Sequence, residues 1–340
     1  MRRRRRAGTE PSRALSVAAL RPPPGCDPDA VVLTFRVSGD VAGMRLDRFI
    51  QRRIPRLSRT RAQAVIRECG YHADGRRRRS SDIVRSGEIV LLVRERFQEP
   101  DVPLTFDVVH DDGEILGLNK PAGLPIHRTA SYHRHTLTYL LRERYGPGGF
   151  VPRVAHRLDR ETSGLVLCGR STFAERGLKT AFERRAVRKT YLAIVHGLPD
   201  TDTGEITVPM ARAREGLHVL METREDGLAA HTEYRVVARR AEHALLSLSP
   251  RTGRQHQLRV HLAAIGHPIV GDKLYGPERE RPFLEVMEHG LTPDLVARLG
   301  HPRQALHALA AEVPHPRTGV VLRVEVPLAP DLASLWESLP

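Results

Sequence analysis

Five charged residues, His156, Arg157, Asp159, Arg160 and Glu161, stand just before a run, Leu165 to Cys168, that reads as a short buried strand bounded by Gly164 and Gly169. In an extended segment side chains alternate, so Arg157 and Asp159 share one face and Leu158 takes the other. Leu158 then anchors the segment in the core while Asp159 looks into a cleft. Thr162, Ser163 and Gly164 suit a turn entering the strand. A carboxylate presented this way can serve as base or nucleophile, since carboxylates form covalent intermediates at sugar carbons. The competing reading is an Asp paired with a neighbouring Arg for structure alone, and on spacing alone that reading is favoured.

Two further segments shift the balance. "RKTYLAIVHG" places Tyr191 on the strand face of Ala193 and Val195, where a phenol can stack on a base or exchange a proton, although a core tyrosine is the commoner case. "RTGRQHQLRVH" opens a helix in which Arg259 projects from a segment packed through Leu258 and Leu262. A cation beside a buried carboxylate favours the charged form, whereas an Arg-rich chain also makes surface arginines common. His256 and His261 are five residues apart, not the i, i+4 pair of a helical zinc site, and read as packing or RNA-contacting residues.

The elements that must position these groups alternate irregularly. Strand-like runs cover Glu114 to Leu118, Leu165 to Cys168, Lys189 to Val195, Glu233 to Ala238 and Ala244 to Leu248. Thr172 with Glu175 forms a capping-box pattern for a helix burying Ala174, Leu178, Ala181 and Phe182. A second helix carries Leu258, Leu262 and Ile265 and ends at Gly266. Strands outnumber helices without strict alternation, which predicts an α+β fold with a mixed, largely antiparallel sheet and flanking helices. The boundaries expected are a disordered basic tail over 1–30, a small α+β domain over 42–96 and a larger domain over 100–330, with Pro100 and Pro103 in the linker.

Charge is unevenly placed. Of the net +14, residues 42–96 hold fifteen Arg against six acidic residues, while 97–340 hold 31 basic against 30 acidic ones. Genome bias explains Arg over Lys, with only Lys120, Lys179, Lys189 and Lys273 present, but not the concentration in front. Nucleic acid is the usual partner of such an asymmetry. Leu46, Phe49, Ile50 and Ile54 mark one short helix; Ser58 caps a second carrying Ala62, Val65, Ile66 and Cys69, stopped by Gly70. Asp74-Gly75 signals a turn, and Ile89 to Val93 a buried strand, giving two helices followed by a hairpin. "MRLDRFIQRRIPRLSRTRAQAVIRECGYHADGR" followed by "IVRSGEIVLL" resembles the small RNA-binding domain named after ribosomal protein S-four. The resemblance implies RNA binding through Arg48, Arg52, Arg59, Arg61 and Arg67.

"HRLDRETSGL", "KTYLAIVHG" and "RTGRQHQLRVHLAAIGHPIVGDKLYG", with the earlier "LGLNKPAGLPIH", together resemble the RluA-type pseudouridine synthases in order and spacing. Glu161 and Gln255 depart from the residue types usual at their places in these motifs. By that resemblance Asp159 is the catalytic aspartate, Tyr191 the active-site aromatic and Arg259 the cation paired with the aspartate. The implied reaction is uridine isomerisation in RNA, in large-subunit ribosomal RNA or, as in some relatives, transfer RNA. It needs no cofactor and no metal. Arg157 is assigned to RNA contact, either in the space vacated by a flipped uridine or on a phosphate. Two other functions compete: a non-catalytic RNA-binding or ribosome-assembly factor, and a metal-assisted hydrolase. A binder has no need of an acid beside Arg157, and the histidines lack metal-ligand spacing. Three scattered cysteines, no apolar run of membrane-spanning length and no signal-peptide pattern point to a cytoplasmic chain, expected as a monomer.

Overall fold

The computed structural model describes residues 22–340 except 29, 55–56, 96–97, 130 and 218. The chain divides into two compact units, Met1–Gln98 and Glu99–Pro340. The first contains β1 (Val31–Arg36), α1 (Leu46–Arg53), α2 (Arg59–Cys69), β2 (Gly70–Tyr71) and β3 (Ile89–Arg94). Both helices form where the apolar spacing places them. Ser58 accepts the Arg61 N–H at the start of α2, and Gly70 closes it. Phe49, Ile50 and Ile66 pack with Val90 and Leu92 in this unit's core.

Two expectations are corrected here. The hairpin is a three-stranded antiparallel sheet in the order β1-β3-β2, because β1 precedes the expected boundary at residue 42 and pairs along the whole of β3. The expected disordered tail lies mostly outside the described residues, but its end does not: Ala30 and Cys26 pack against Tyr71, Leu91 and Val93. A sequence that reads as polar tail up to residue 30 thus supplies the flank of an apolar sheet face.

The second unit runs β4 (Asp107–Asp111), β5 (Ile115–Lys120), α3 (Leu137–Tyr145), β6 (Arg153–Val154), β7 (Ser163–Gly169), α4 (Thr172–Glu183), β8 (Arg188–His196), β9 (Thr203–Ile206), β10 (Met210–Arg212) and β11 (Met221–Thr223). It continues with β12 (Thr232–Arg240), β13 (His243–Pro250), α5 (Gln257–Ala264), α6 (Arg281–His289), α7 (Pro293–Leu299), β14 (Leu306–Pro314), β15 (Val321–Glu325) and α8 (Pro330–Ser338). Among the described residues its main sheet has ten strands, with the path β4-β5-β7-β14-β8-β13-β12-β9 and β6 and β15 on β7 and β14. Only β7 and β14 pair in parallel; the other pairings are antiparallel. This is the α+β architecture with a mixed, largely antiparallel sheet that the sequence predicts.

β7 is buried along its whole length because both sheet faces are covered there. Leu165 and Leu167 pack on Leu178 and Ala181 of α4, while Val166 and Cys168 face Leu137 and Leu141 of α3. At its entrance Gly164 has φ +110°, and a Cβ would collide with the Ala308 carbonyl of β14. Any side chain there would push the preceding charged loop away from the sheet. On β13 alternation is strict, with Ala244, Leu246 and Leu248 turned toward Leu258 and Leu262 of α5. The cap of α4 is one residue earlier than its pattern suggests. Ser171 accepts the Ala174 N–H, and Glu175 binds Lys179 and Arg153 instead of closing a box with Thr172.

Candidate active site

The loop between β6 and β7 keeps the alternation expected of it. Leu158 is buried among Leu116, Leu124 and Val166, Arg157 is exposed, and Asp159 is half-buried. Arg157 and Asp159 both line a cleft of about 560 Å3, whose wall also includes Tyr191 of β8 and Arg259 of α5. The structure therefore brings together four residues from three segments that lie far apart in sequence. Arg48, Arg52, Arg59, Arg61 and Arg67 lie elsewhere, all exposed on the N-terminal unit.

Arg259 is no surface residue: it is 5% exposed. Its Nε and Nη2 donate to the two oxygens of Asp272 at 2.6 and 2.7 Å, and its Nη1 donates to Asp159 Oδ2 at 3.2 Å. Asp272 also accepts the backbone N–H groups of Leu274 and Tyr275. Burial pushes the Asp272 carboxyl up, but Arg259 and the two backbone donors outweigh it and hold it below the usual carboxylate range. For Arg259, burial is likewise outweighed by Asp272 and Asp159, which keep the guanidinium charged. A bidentate pair fixes the plane of the guanidinium, so Nη1 is aimed at Asp159 before any ligand arrives. Among the described residues Asp159 Oδ1 accepts no hydrogen bond.

His256 sits beside this array. Its backbone is left-handed (φ 55°), which turns the ring so that Nδ1 meets the Tyr275 hydroxyl at 2.7 Å and Nε2 lies 3.9 Å from Asp159 Oδ2. Burial, reinforced by the Arg259 charge, lowers it to about 4, so this histidine is neutral near pH 7. His261 is a packing residue, bonded to Thr232 and the Val208 carbonyl. Burial and the Asp159 charge push the Tyr191 phenol well above its ordinary value.

Sequence reasoning missed Asp272, Tyr275 and Lys120 as parts of the site. The first two lie inside "VGDKLYG", where an Asp-Lys pair reads as solvated surface. Lys120 is fully buried and donates to the carbonyls of Pro121, Leu124 and Arg160 at 2.7, 3.0 and 3.1 Å. Burial pulls it down to about 7. The Arg160 carbonyl it holds belongs to the residue after Asp159. Lys273 grips the next residue, Glu161, at 2.8 Å, so the loop is tied at two consecutive residues just after the carboxylate. An intact "NKP" beside a strand end was the available signal. Among the described residues, Glu205, His231 and Glu233 also bring ligand-type atoms within 4.8 Å of one another, a trio the expectation of no metal did not foresee. Glu233 is taken up by Arg251 at 2.7 Å.

Residues 114–264 match the RNA pseudouridylate synthase family. The chain is 35% identical over 317 residues to ribosomal large subunit pseudouridine synthase D of Haemophilus ducreyi, covering 91% of this chain and 95% of that one. It is 36% identical over 312 residues to the protein of the same name from Xanthomonas campestris pv. campestris, covering 89% and 91%. The solved human RNA pseudouridylate synthase domain containing 1 is similar over 70% of this chain and 89% of its own, with TM-score 0.54 and 28% identity. The chain belongs to the RluA-type family of RNA pseudouridine synthases, and it isomerises uridine in RNA to pseudouridine. The binder and hydrolase readings fall with that assignment. No helix among the described residues is long and apolar enough to cross a membrane.

Proposed function

We propose that Asp159 is the catalytic aspartate, that Arg259 holds it in place, and that the RNA is that of the large ribosomal subunit. The observation that carries the first part is the asymmetry of a carboxylate that lines the cleft: Oδ2 is bound by an arginine itself clamped on Asp272, and Oδ1 has no donor among the described residues. Isomerisation breaks the bond from ribose carbon 1′ to the uracil nitrogen, turns the base and joins carbon 1′ to carbon 5, whose proton leaves as the ring nitrogen gains one. Asp159 Oδ1 either attacks carbon 1′, giving an ester that carbon 5 later displaces, or takes the hydrogen from carbon 2′ and returns it. Both routes need an oxygen without a resident donor.

Tyr191 stacks on the uracil. Its raised pKa keeps the phenol protonated in the resting cleft, so removal of the carbon 5 proton through its oxygen requires it first to lose its own, which burial opposes. Arg157, which has no ion pair or hydrogen-bond partner among the described residues, meets the RNA at the mouth of the cleft. The ribosomal substrate rests on the names of the relatives from Haemophilus ducreyi and Xanthomonas campestris. The N-terminal unit, with its S-four resemblance and exposed arginines, docks the RNA. Three separate free cysteines fit a monomer in a reducing cytoplasm.

Tritium release from carbon-5-labelled uridine tests the reading. Unmodified transcripts of large-subunit ribosomal RNA and of transfer RNA are supplied separately, and release is expected from the first. Release from transfer RNA alone overturns the substrate; full release by Asp159→Asn overturns the aspartate.

A further inference from the structure

The chain has four lysines among 54 basic residues, and three have either a carboxylate partner or a full set of three acceptors. Lys120 is held by three carbonyls, Lys179 pairs with Glu175 at 2.7 Å, and Lys273 bonds both Glu161 and the Pro302 carbonyl. Lys189, at the start of β8, is different. Among the described residues its Nζ donates only to the Thr252 carbonyl, at 3.2 Å, and no carboxylate lies within ion-pair distance. An ammonium has three N–H groups, so two are unclaimed. The side chain is part-buried and lines the same cleft as Asp159.

We propose that Lys189 binds a backbone phosphate of the RNA beside the target uridine, in a subsite completed by the Thr252–Arg254 loop. This rests on the reading of the cleft as the uridine site. Lys189 and Tyr191 are two residues apart on one strand face, about 7 Å along β8, so the ammonium lies one step from the stacking position. The loop opposite is braced in advance. Thr252 Oγ1 accepts the His231 N–H and donates to Gln257 Oε1, which also accepts the Arg254 N–H. Gln257 Nε2 in turn donates to the His231 carbonyl and Thr232. Gly253 lies beside the ammonium: a Cβ built there would be in ordinary contact with Nζ, at 3.8 Å. Arg254 lines the cleft with one side-chain N–H on the Ala229 carbonyl. A partly desolvated cation without a counter-ion is unfavourable by itself, and a phosphate supplies both the charge and the missing acceptors. Burial unopposed by any acid pulls the lysine down to about 8, the shift expected where the counter-ion arrives with the ligand.

The test uses a synthetic hairpin around a uridine that the wild-type enzyme converts in a large-subunit ribosomal RNA transcript, with single phosphates replaced one at a time by neutral methylphosphonate. For the wild type, one linkage near the target raises KM about tenfold. Lys189→Met raises KM by a similar factor on unmodified RNA, leaves kcat within about threefold, and loses all further sensitivity at that linkage. Lys189→Arg restores most of the affinity, and its sensitivity to the same linkage guards against a Met variant that folds poorly. If every linkage penalty persists unchanged in both variants, the subsite is wrong. If Lys189→Met lowers kcat with KM unchanged, the ammonium serves the reacting base instead, and the proposal also falls. A wild-type enzyme that converts no uridine removes the reading of the cleft itself, an outcome distinct from the other two.

Discussion

Asp47 in α1 of the N-terminal unit and Asp159 in the cleft are both carboxylates set beside arginines, and their surroundings differ in one respect. Asp47 has no exposed side-chain surface and is saturated: Arg45 donates twice, Gln63 and the Arg48 N–H once each, and Arg59 stands at 3.6 Å. Arg45 above all, with Gln63, holds its carboxyl far below the usual carboxylate range, against the effect of burial. Asp159 lines the cleft with a single arginine on one oxygen and no donor on the other among the described residues. The same contrast separates two arginines. Arg78 is buried between Glu88 and Asp82, whereas Arg157 is exposed and unpaired among the described residues. Charge among opposite charge is therefore no mark of function. Unfilled hydrogen-bonding capacity facing a cavity is.

The strongest test of that contrast exchanges each acid for its amide. Asp159→Asn is expected to lower turnover by about 10⁴-fold or more, with melting temperature and RNA affinity near wild type, because the amide keeps shape but loses nucleophile and base. Asp47→Asn should do the reverse: turnover is kept at saturating RNA, while the N-terminal unit loses about 1–3 kcal/mol as the buried carboxylate that Arg45, Gln63 and the Arg48 N–H share is replaced by a neutral amide. Tritium release and urea unfolding followed in parallel report both. Equal stability losses without a difference in turnover would erase the distinction.

Acid stability sharpens the comparison further, since it locates neutral histidines in the catalytic unit. Burial, helped by the nearby cations Lys189, Arg259 and Arg303 respectively, lowers His156, His256 and His307 each to about 4. Below their unfolded values near 6.5 the unfolded chain takes up protons that the folded chain refuses, so stability falls as pH drops from about 6.5 toward 4. The expected loss between pH 7 and 5 is of the order of 1–2 kcal/mol for each histidine. Urea midpoints that stay flat over that interval would contradict the buried, neutral assignment.

Salt dependence probes the other unit. Arg48, Arg61 and Arg67 have guanidinium groups without partners among the described residues, unlike Arg78. Replacing the three by Gln should flatten the plot of log affinity against log salt by about 2 in slope and leave kcat unchanged. An unchanged slope would mean that RNA docks elsewhere.

How far the sequence could be read follows from the kind of signal each feature leaves. β7, α2 and α5 were legible because burial imposes a local period, and the helix ends were marked by Ser58, Gly70 and Gly266. β1 was missed because "VVLTFR" follows a Pro-rich stretch and gains meaning only from β3, some sixty residues on. Asp159, Tyr191 and Arg259 came from residue types in a recognised order. Asp272 and Lys120 were not assigned, because what gives them a role is a partner 13 residues away in one case and 40 in the other. A buried charge cannot be told from a solvated one until its partners are in place.

Arg157 supplies the smallest and most selective test. A uridine within folded RNA is out of reach of Asp159 until it is unstacked, at a cost of a few kcal/mol. Arg157 lies on the same side of the loop as Asp159, exposed at the cleft and free of partners, so its side chain can fill the vacated space. A planar guanidinium stacks on bases and bonds phosphate at once, which an ammonium cannot imitate. Arg157→Lys keeps the charge and removes the plane. If the residue fills the stack, turnover falls about tenfold on structured RNA and little on a substrate whose target uridine is already unpaired. The fluorescence of 2-aminopurine placed beside the target then rises on binding wild type and not on binding the variant. Equal behaviour of Lys and Arg on both substrates would leave Arg157 a phosphate contact at the rim, and would move the work of flipping to another part of the cleft.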